Sequence, residues 1–163
     1  MMLVDTNVFL IDRFFSRDEN YEINKAFVEK LSCLDAYISI YNLFELLGLA
    51  SFNLNEEEFR RWFYEFDQVY SVSILYPPNL ENSLQYHFSW LSEELFRLMS
   101  NKITYVDALL LSQAEFFDAD SIITWNKKDF LNRTEKVSIL NPKDFIEKIE
   151  KEKDNESSNL SCR

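Results

Sequence analysis

Residues 103–130 read ITYVDALLLSQAEFFDADSIITWNKKDF, and the order of elements in this stretch decides the fold. Val106, Leu109, Leu110, Ala114 and Phe117 recur at helical spacing, and Ser121-Ile-Ile-Thr124 then reads as a short buried strand. The strand runs out into Thr124, Asn126 and Asp129. In open α/β sheets ligands sit beyond the carboxyl ends of strands, so a polar cluster there is a candidate site. Asp107, in the first turn of the preceding helix, is the carboxylate of interest. The same residues also have an ordinary reading. Thr104 and Asp107 form a T-x-x-D capping pattern, while Asn126 and Asp129 are common turn formers. This stretch alone leaves both readings open.

The flanking sequence repeats the alternation of strand and helix. Residues 1–5 form a short apolar strand ending in Asp5-Thr6-Asn7, followed by an amphipathic helix through Phe14-Phe15. A strand that opens the chain and enters a helix directly is expected near the centre of a parallel sheet. Asp5 either caps that helix or projects from the strand end with Thr6 or Asn7 beside it. A second helix is predicted over 22–34 and a second strand over 36–40. The next helix carries Leu43, Leu46, Leu47 and Ala50 on one face, with Glu45 interrupting its apolar start. Residues 55–69 predict a helix whose core face is Phe59, Trp62, Phe63 and Phe66. A third strand follows over 70–75, stopped by Pro77-Pro78, and then a long helix over 80–99. Leu84, Phe88, Leu91, Leu95 and Leu98 form the core face of that long helix, leaving Tyr86 and Trp90 as interface candidates. A last strand over 137–140 leads to a helix from Pro142 to about Lys151, with proline in the favoured first turn. Residues 1–152 therefore read as one domain, and the polar residues 153–163 as a disordered tail.

Composition narrows the chemistry. The 163 residues are 47% hydrophobic and carry a net charge of −11, which suits a single core and argues against a broad basic nucleic-acid surface. The only glycine, Gly48, lies inside a helical pattern, so neither a P-loop nor a dinucleotide-binding glycine turn exists. A lone histidine, His87, removes His-rich zinc sites and reads as structural; Cys33 and Cys162 make no metal cluster. No apolar run reaches the roughly 20 residues that span a bilayer, and the first residues lack a signal peptide's basic and apolar regions, so a cytoplasmic location is expected. Carboxylate is what remains plentiful.

Alternating strands and helices specify a three-layer α/β/α sandwich with a mostly parallel central sheet. Asp5, Glu45, Asp107 and Asn126 then fall at or just after strand ends or helix starts on one edge. Oxygen-bearing side chains without His or Cys suit a hard cation, Mg²⁺ or Mn²⁺. Three carboxylates meeting without one would repel each other.

The sequence resembles the PIN-domain family, in particular the VapC-like toxin ribonucleases. LVDTNVFL is similar to the family's opening strand with its first acid, Asp5, and YNLFELLG to the helix with the second, Glu45. TYVDALLLSQAEFFDADSIITWNKKDF is similar to the segment with the third acid, Asp107, and the closing strand with its Thr124 to Asn126 signature; VSILNPKDFI is similar to the final strand and helix. The resemblance spans about residues 2 to 149. It implies a PIN-like fold and metal-dependent hydrolysis of RNA, with Asp5, Glu45 and Asp107 holding Mg²⁺ or Mn²⁺ and Asn126 completing the catalytic set. Thr6, Thr124 and Asp129 are supporting residues. It also implies a small antitoxin partner and a homodimer. Many members carry an acid where Asn126 stands; Asn supplies an oxygen but no charge, and Asp129 lies three residues on. A catalytically weak PIN-fold binding or scaffold module is the alternative. An aspartyl phosphatase is disfavoured, because that chemistry wants an Asp where Asn7 stands.

Overall fold

The computed structural model describes residues 1–77 and 84–160, with positions 84, 86 and 153–160 described through the backbone alone. Among these residues five short strands form one sheet: β1 (Met2–Val4), β2 (Ala36–Ser39), β3 (Ser73–Leu75), β4 (Ser121–Ile123) and β5 (Ser138–Leu140). Their order is β3-β2-β1-β4-β5, and every pairing among the described residues is parallel. Leu3 pairs with Tyr37 on one side and Ile122 on the other, so β1 is central. Successive strands run outward from β1 to β3 on one side and through β4 to β5 on the other. The order therefore reverses at β1/β4, which opens a crevice beyond the carboxyl ends of those two strands.

Among the described residues seven α-helices cover the two faces: α1 (Thr6–Phe14), α2 (Tyr21–Val28), α3 (Ile40–Ala50), α4 (Glu56–Tyr70), α5 (Leu84–Met99), α6 (Tyr105–Phe116) and α7 (Pro142–Leu160). Strand side chains alternate between faces. Met2, Val4, Ile38 and Ile123 join Phe9, Phe27, Leu46, Trp62 and Phe66 in one buried cluster. Leu3 and Ile122 join Leu98, Leu110, Leu111 and Ala114 in the other. The expected α/β/α layering results.

Local chemistry starts the helices that carry the site. Asp5 accepts the Thr6 N–H, Ser39 Oγ accepts the Tyr41 N–H, and Thr104 Oγ1 accepts the Asp107 N–H, each capping a helix that follows a strand or turn. Asn55 and Glu58 form a reciprocal capping box at the start of α4.

Several expected boundaries and faces are corrected by packing. The helix predicted over 22–34 stops at Val28 and resumes as a 3₁₀ turn, Leu31–Cys33, whose tighter winding drops Leu31 fully into the core before β2. Tyr70 closes α4 instead of opening β3, because it continues the stripe of Trp62 and Phe66, packs on Phe9 at 4.9 Å and donates its hydroxyl to Asp12 Oδ2. That stripe leaves Phe63 one position off, so it faces solvent instead of the core. On α5 the inward row is His87, Leu91, Leu95 and Leu98, which turns Phe88 outward; His87 is buried, as its structural reading expects. The final helix runs past Lys151 to Leu160, so the stretch from 153 expected as disordered is helical that far, consistent with its Glu- and Lys-rich start of good helix formers. Pro78, the first residues of the helix expected from position 80, the Tyr86 side chain and Cys162 lie outside the described residues.

Candidate active site

Asp5 and Thr124 end adjacent strands. The Asp5 N–H donates to Ile123 O at 3.0 Å, which locks the two strand ends in register, and Thr124 Oγ1 donates to Asp5 Oδ2 at 2.8 Å. Asn7 Nδ2 donates to the same Asp5 oxygen at 2.6 Å, and Asn42 Nδ2 to Asp5 Oδ1 at 3.2 Å. Asp5 is buried, and burial pushes its carboxyl up to about 7. The hydroxyl of Thr124 and the Thr6 N–H pull it down, whereas the charges of Asp107 and Glu45 push it further up. Acids from α3 and α6 thus act on the carboxylate that follows β1.

Glu45 is held by Thr6 Oγ1, which donates to its Oε2 at 2.7 Å. Asp107 accepts from Thr104 Oγ1 at 2.6 Å. The capping reading of Asp107 is realised, since Thr104 Oγ1 accepts its N–H, and the same hydroxyl holds its carboxylate. Burial raises its pKa, with the Thr104 hydroxyl opposing and the Asp129 charge adding to the rise. Asp129 accepts a close hydrogen bond from Asn126 Nδ2, and the Asn126 N–H donates to Thr124 Oγ1 at 2.9 Å. Asn126 and Asp129 consequently reach the site as a hydrogen-bonded pair.

The arrangement suits a divalent cation in its donor chemistry: oxygen ligands alone, a carboxylate raised by burial with its acidic neighbours adding to the rise, and a buried Asn42 Oδ1 without a hydrogen-bond partner. Among the described residues, no group of three Asp, Glu, His or Cys side chains is gathered closely enough to hold a metal as it stands. Each of the three acids is instead turned to its own hydroxyl donor.

Two buried amides escape a reading based on carboxylates. Asn42 lies three residues before Glu45, on the same face of α3, and bonds both Asp5 and Thr6. A polar residue one turn from an acid on an apolar helix is the signal that could have found it. Asn24 on α2 accepts from Trp125 Nε1 at 2.8 Å and donates to Val8 O at 2.9 Å, while the Trp125 N–H donates to Asn7 Oδ1 at 3.1 Å. This ties the loop after β4 to α1 and α2. Nothing in the local sequence marks that bond, which joins positions 101 apart.

No protein-family model and no curated protein matches the sequence. Solved structures do share its fold. FitAB bound to an IR36 DNA fragment aligns at a TM-score of 0.60 and 18% identity over 87% of this chain and 95% of that one. FitAcB from Neisseria gonorrhoeae gives the same score and identity, over 87% and 98%. VapBC2 from Rickettsia felis bound to a DNA fragment from their promoter gives 0.57 and 20%, over 86% and 97%. The chain has the PIN-like α/β/α fold of these structures along nearly their whole length. Among the described residues no helix is long and apolar enough to cross a membrane.

Proposed function

We propose that the protein is a metal-dependent endoribonuclease that hydrolyses RNA phosphodiester bonds, acting as the toxin of a toxin–antitoxin pair. One observation carries the reading: at the strand-order reversal the buried Asp5 carboxylate is fixed by four donors, the Thr124 hydroxyl, the Asn7 and Asn42 amides and the Thr6 N–H, and the hydroxyl of the same Thr6 holds Glu45. Burial raises the Asp5 carboxyl, the charges of Asp107 and Glu45 add to the rise, and a divalent cation would relieve it. Asp5, Glu45 and Asp107 would hold Mg²⁺ or Mn²⁺, with Asn126 contributing an uncharged oxygen. Such an ion, when bound, supplies charge neutralisation for the scissile phosphate and acidifies a water for in-line attack.

The chain's own groups prepare that chemistry. Thr124 and Asn7 fix one Asp5 oxygen, while Asn42 and the Thr6 N–H fix the other, so the carboxylate cannot rotate. Thr6 and Thr104 orient Glu45 and Asp107, and Asn126 orients Asp129. These oriented carboxylates accept protons from waters in the crevice. No covalent nucleophile is required.

The likeness in fold to the FitAB and VapBC2 structures supports a partner protein; in this reading that partner is a small antitoxin that covers the acidic crevice with a basic side chain, and the protein acts in the cytoplasm. Homodimerisation belongs to the same reading. The binding-module alternative draws on Asn126, which brings no charge. Incubation of the purified protein with a mixed RNA pool separates the two. Cleavage that needs Mn²⁺ or Mg²⁺ and disappears in Asp5→Asn supports the nuclease; intact RNA with either ion, or cleavage that survives Asp5→Asn, overturns it.

A further inference from the structure

A chain of net charge −11 repels the RNA backbone except where cations gather. One gathering adjoins the carboxylates. Between positions 126 and 137, Lys127, Lys128, Arg133 and Lys136 are set against only Asp129 and Glu135, which reverses the sign of the chain as a whole. This segment leaves β4, carries Asn126 and Asp129 through a 3₁₀ turn, Lys127–Asp129, and then borders a cavity of about 570 Å³. Phe130 and Ile139 give the cavity an apolar floor, and Asn132, Arg133, Thr134 and Glu135 supply its polar lining.

Arg133 is the fixed charge. Its Nη1 donates to Leu131 O at 3.0 Å and its Nη2 to Lys102 O at 3.1 Å, bonds that position the guanidinium without neutralising it. Among the described residues Arg133 makes no ion pair, and its Nε is buried without a hydrogen-bond partner. Lys102 and Lys128 are exposed and also make no ion pair among the described residues, whereas Lys127 is held by Asp144 at 2.7 Å. The bond to Lys102 joins this segment to the turn just before Thr104, the residue that holds Asp107. The segment that lines the cavity is therefore continuous with Asn126 and Asp129 and tied through Arg133 to the turn before Asp107.

We propose that this cavity and its cationic rim are a subsite for a phosphate of the RNA strand next to the bond that is cut. The inference rests on the ribonuclease reading and assigns its substrate contact. Arg133 in the lining and the exposed Lys128, two residues before the lining begins, provide charge, and Asn132 and Thr134 provide neutral donors. Glu135 opposes an anion at the same place, so its removal strengthens binding. That sign is one that structural damage does not produce.

The test is fluorescence anisotropy of a labelled, mixed-sequence single-stranded RNA of about ten nucleotides, with EDTA present to stop cleavage, alongside cleavage kinetics in Mn²⁺. Lys128→Ala and Arg133→Gln are expected to weaken binding about tenfold and to flatten the log–log salt dependence by about 0.7 per charge removed. They raise KM while kcat stays within about twofold. Glu135→Gln tightens binding several-fold. Arg133 also joins two loops, so Lys128→Ala and Glu135→Gln decide the matter if Arg133→Gln unfolds. Unchanged RNA affinity in both, with cleavage intact, overturns the subsite and leaves the nuclease. Binding that follows these substitutions without any cleavage in Mn²⁺ or Mg²⁺ overturns the nuclease and leaves the subsite. RNA that the unsubstituted protein neither binds nor cuts overturns both.

Discussion

The Thr6 hydroxyl donates to Glu45 Oε2 at 2.7 Å while accepting from Asn42 Nδ2 at 3.2 Å. The first residue of α1 thereby orients an acid on α3, 39 positions away. Thr6→Val preserves the β-branched shape and removes both bonds. Outer-shell partners of metal ligands change affinity or activity by roughly 10–100-fold. The expected result is a loss of that size in Mn²⁺ affinity by calorimetry, with a stability cost of about 1 kcal/mol. Wild-type Mn²⁺ affinity in Thr6→Val would refute the orienting role.

Asp5 makes stability depend on pH with a definite sign. Its carboxyl is raised from the ordinary 3.8 to about 7, so between those values the folded state keeps a proton that the unfolded chain has released. Stability without divalent ions therefore falls as pH rises from about 4 to about 7, by on the order of a few kcal/mol, and levels off above. Mn²⁺ binds the ionised folded form and restores stability most above pH 7. Urea midpoints at acidic and alkaline pH, with and without Mn²⁺, check this. Asp5→Asn is expected to flatten both dependences.

Asn42 donates to Asp5 Oδ1 yet leaves its own buried Oδ1 unpaired. In Asn42→Leu the ionised Asp5 loses a donor, so the acid limb of the cleavage–pH profile moves to higher pH. Removing an unpaired buried acceptor offsets part of the lost bonding, and the net stability change stays within about 1–2 kcal/mol. A profile superimposable on the wild type's would show that Asn42 does not tune Asp5.

Trp125 Nε1 donates to Asn24, which is fully buried. Trp125→Phe retains an aromatic ring and orphans Asn24 Oδ1. The expected cost is about 1–3 kcal/mol, read as a lower urea midpoint at constant m-value.

Gly48 sits inside α3, and a Cβ built there meets nothing within 4 Å. Gly48→Ala should stabilise by about 0.5–1 kcal/mol through a stiffer unfolded chain, raising Tm by roughly 1–4 °C. A lowered Tm would mean that helix α3 is not formed there as described.

The layered class and nearly every element of the sheet were legible because hydrophobic periodicity is local: apolar runs such as Ser121-Ile-Ile make buried strands wherever they pack. The same periodicity misled where neighbouring positions competed for one face. Phe63 and Phe88 are as apolar as Phe66 and Leu91, and only the direction of the stripe decides which ring turns outward. For the site, the acids stood out because carboxylates beside strand ends are costly to bury. Asn42, Asn24 and the Arg133–Lys102 link did not, since neutral amides and loop arginines are ordinary where they stand in the chain.

By itself, the sequence determined which residues bear charge, which runs must be buried and in what order strands and helices come. It therefore determined the α/β class and made Asp5, Glu45 and Asp107 the candidates for a site. Only the tertiary structure decided that β4 lies beside β1, with Thr124 Oγ1 reaching Asp5 across 119 positions. Strand order and side-chain pairing depend on how two faces pack at once, and that is a property of the assembled layers.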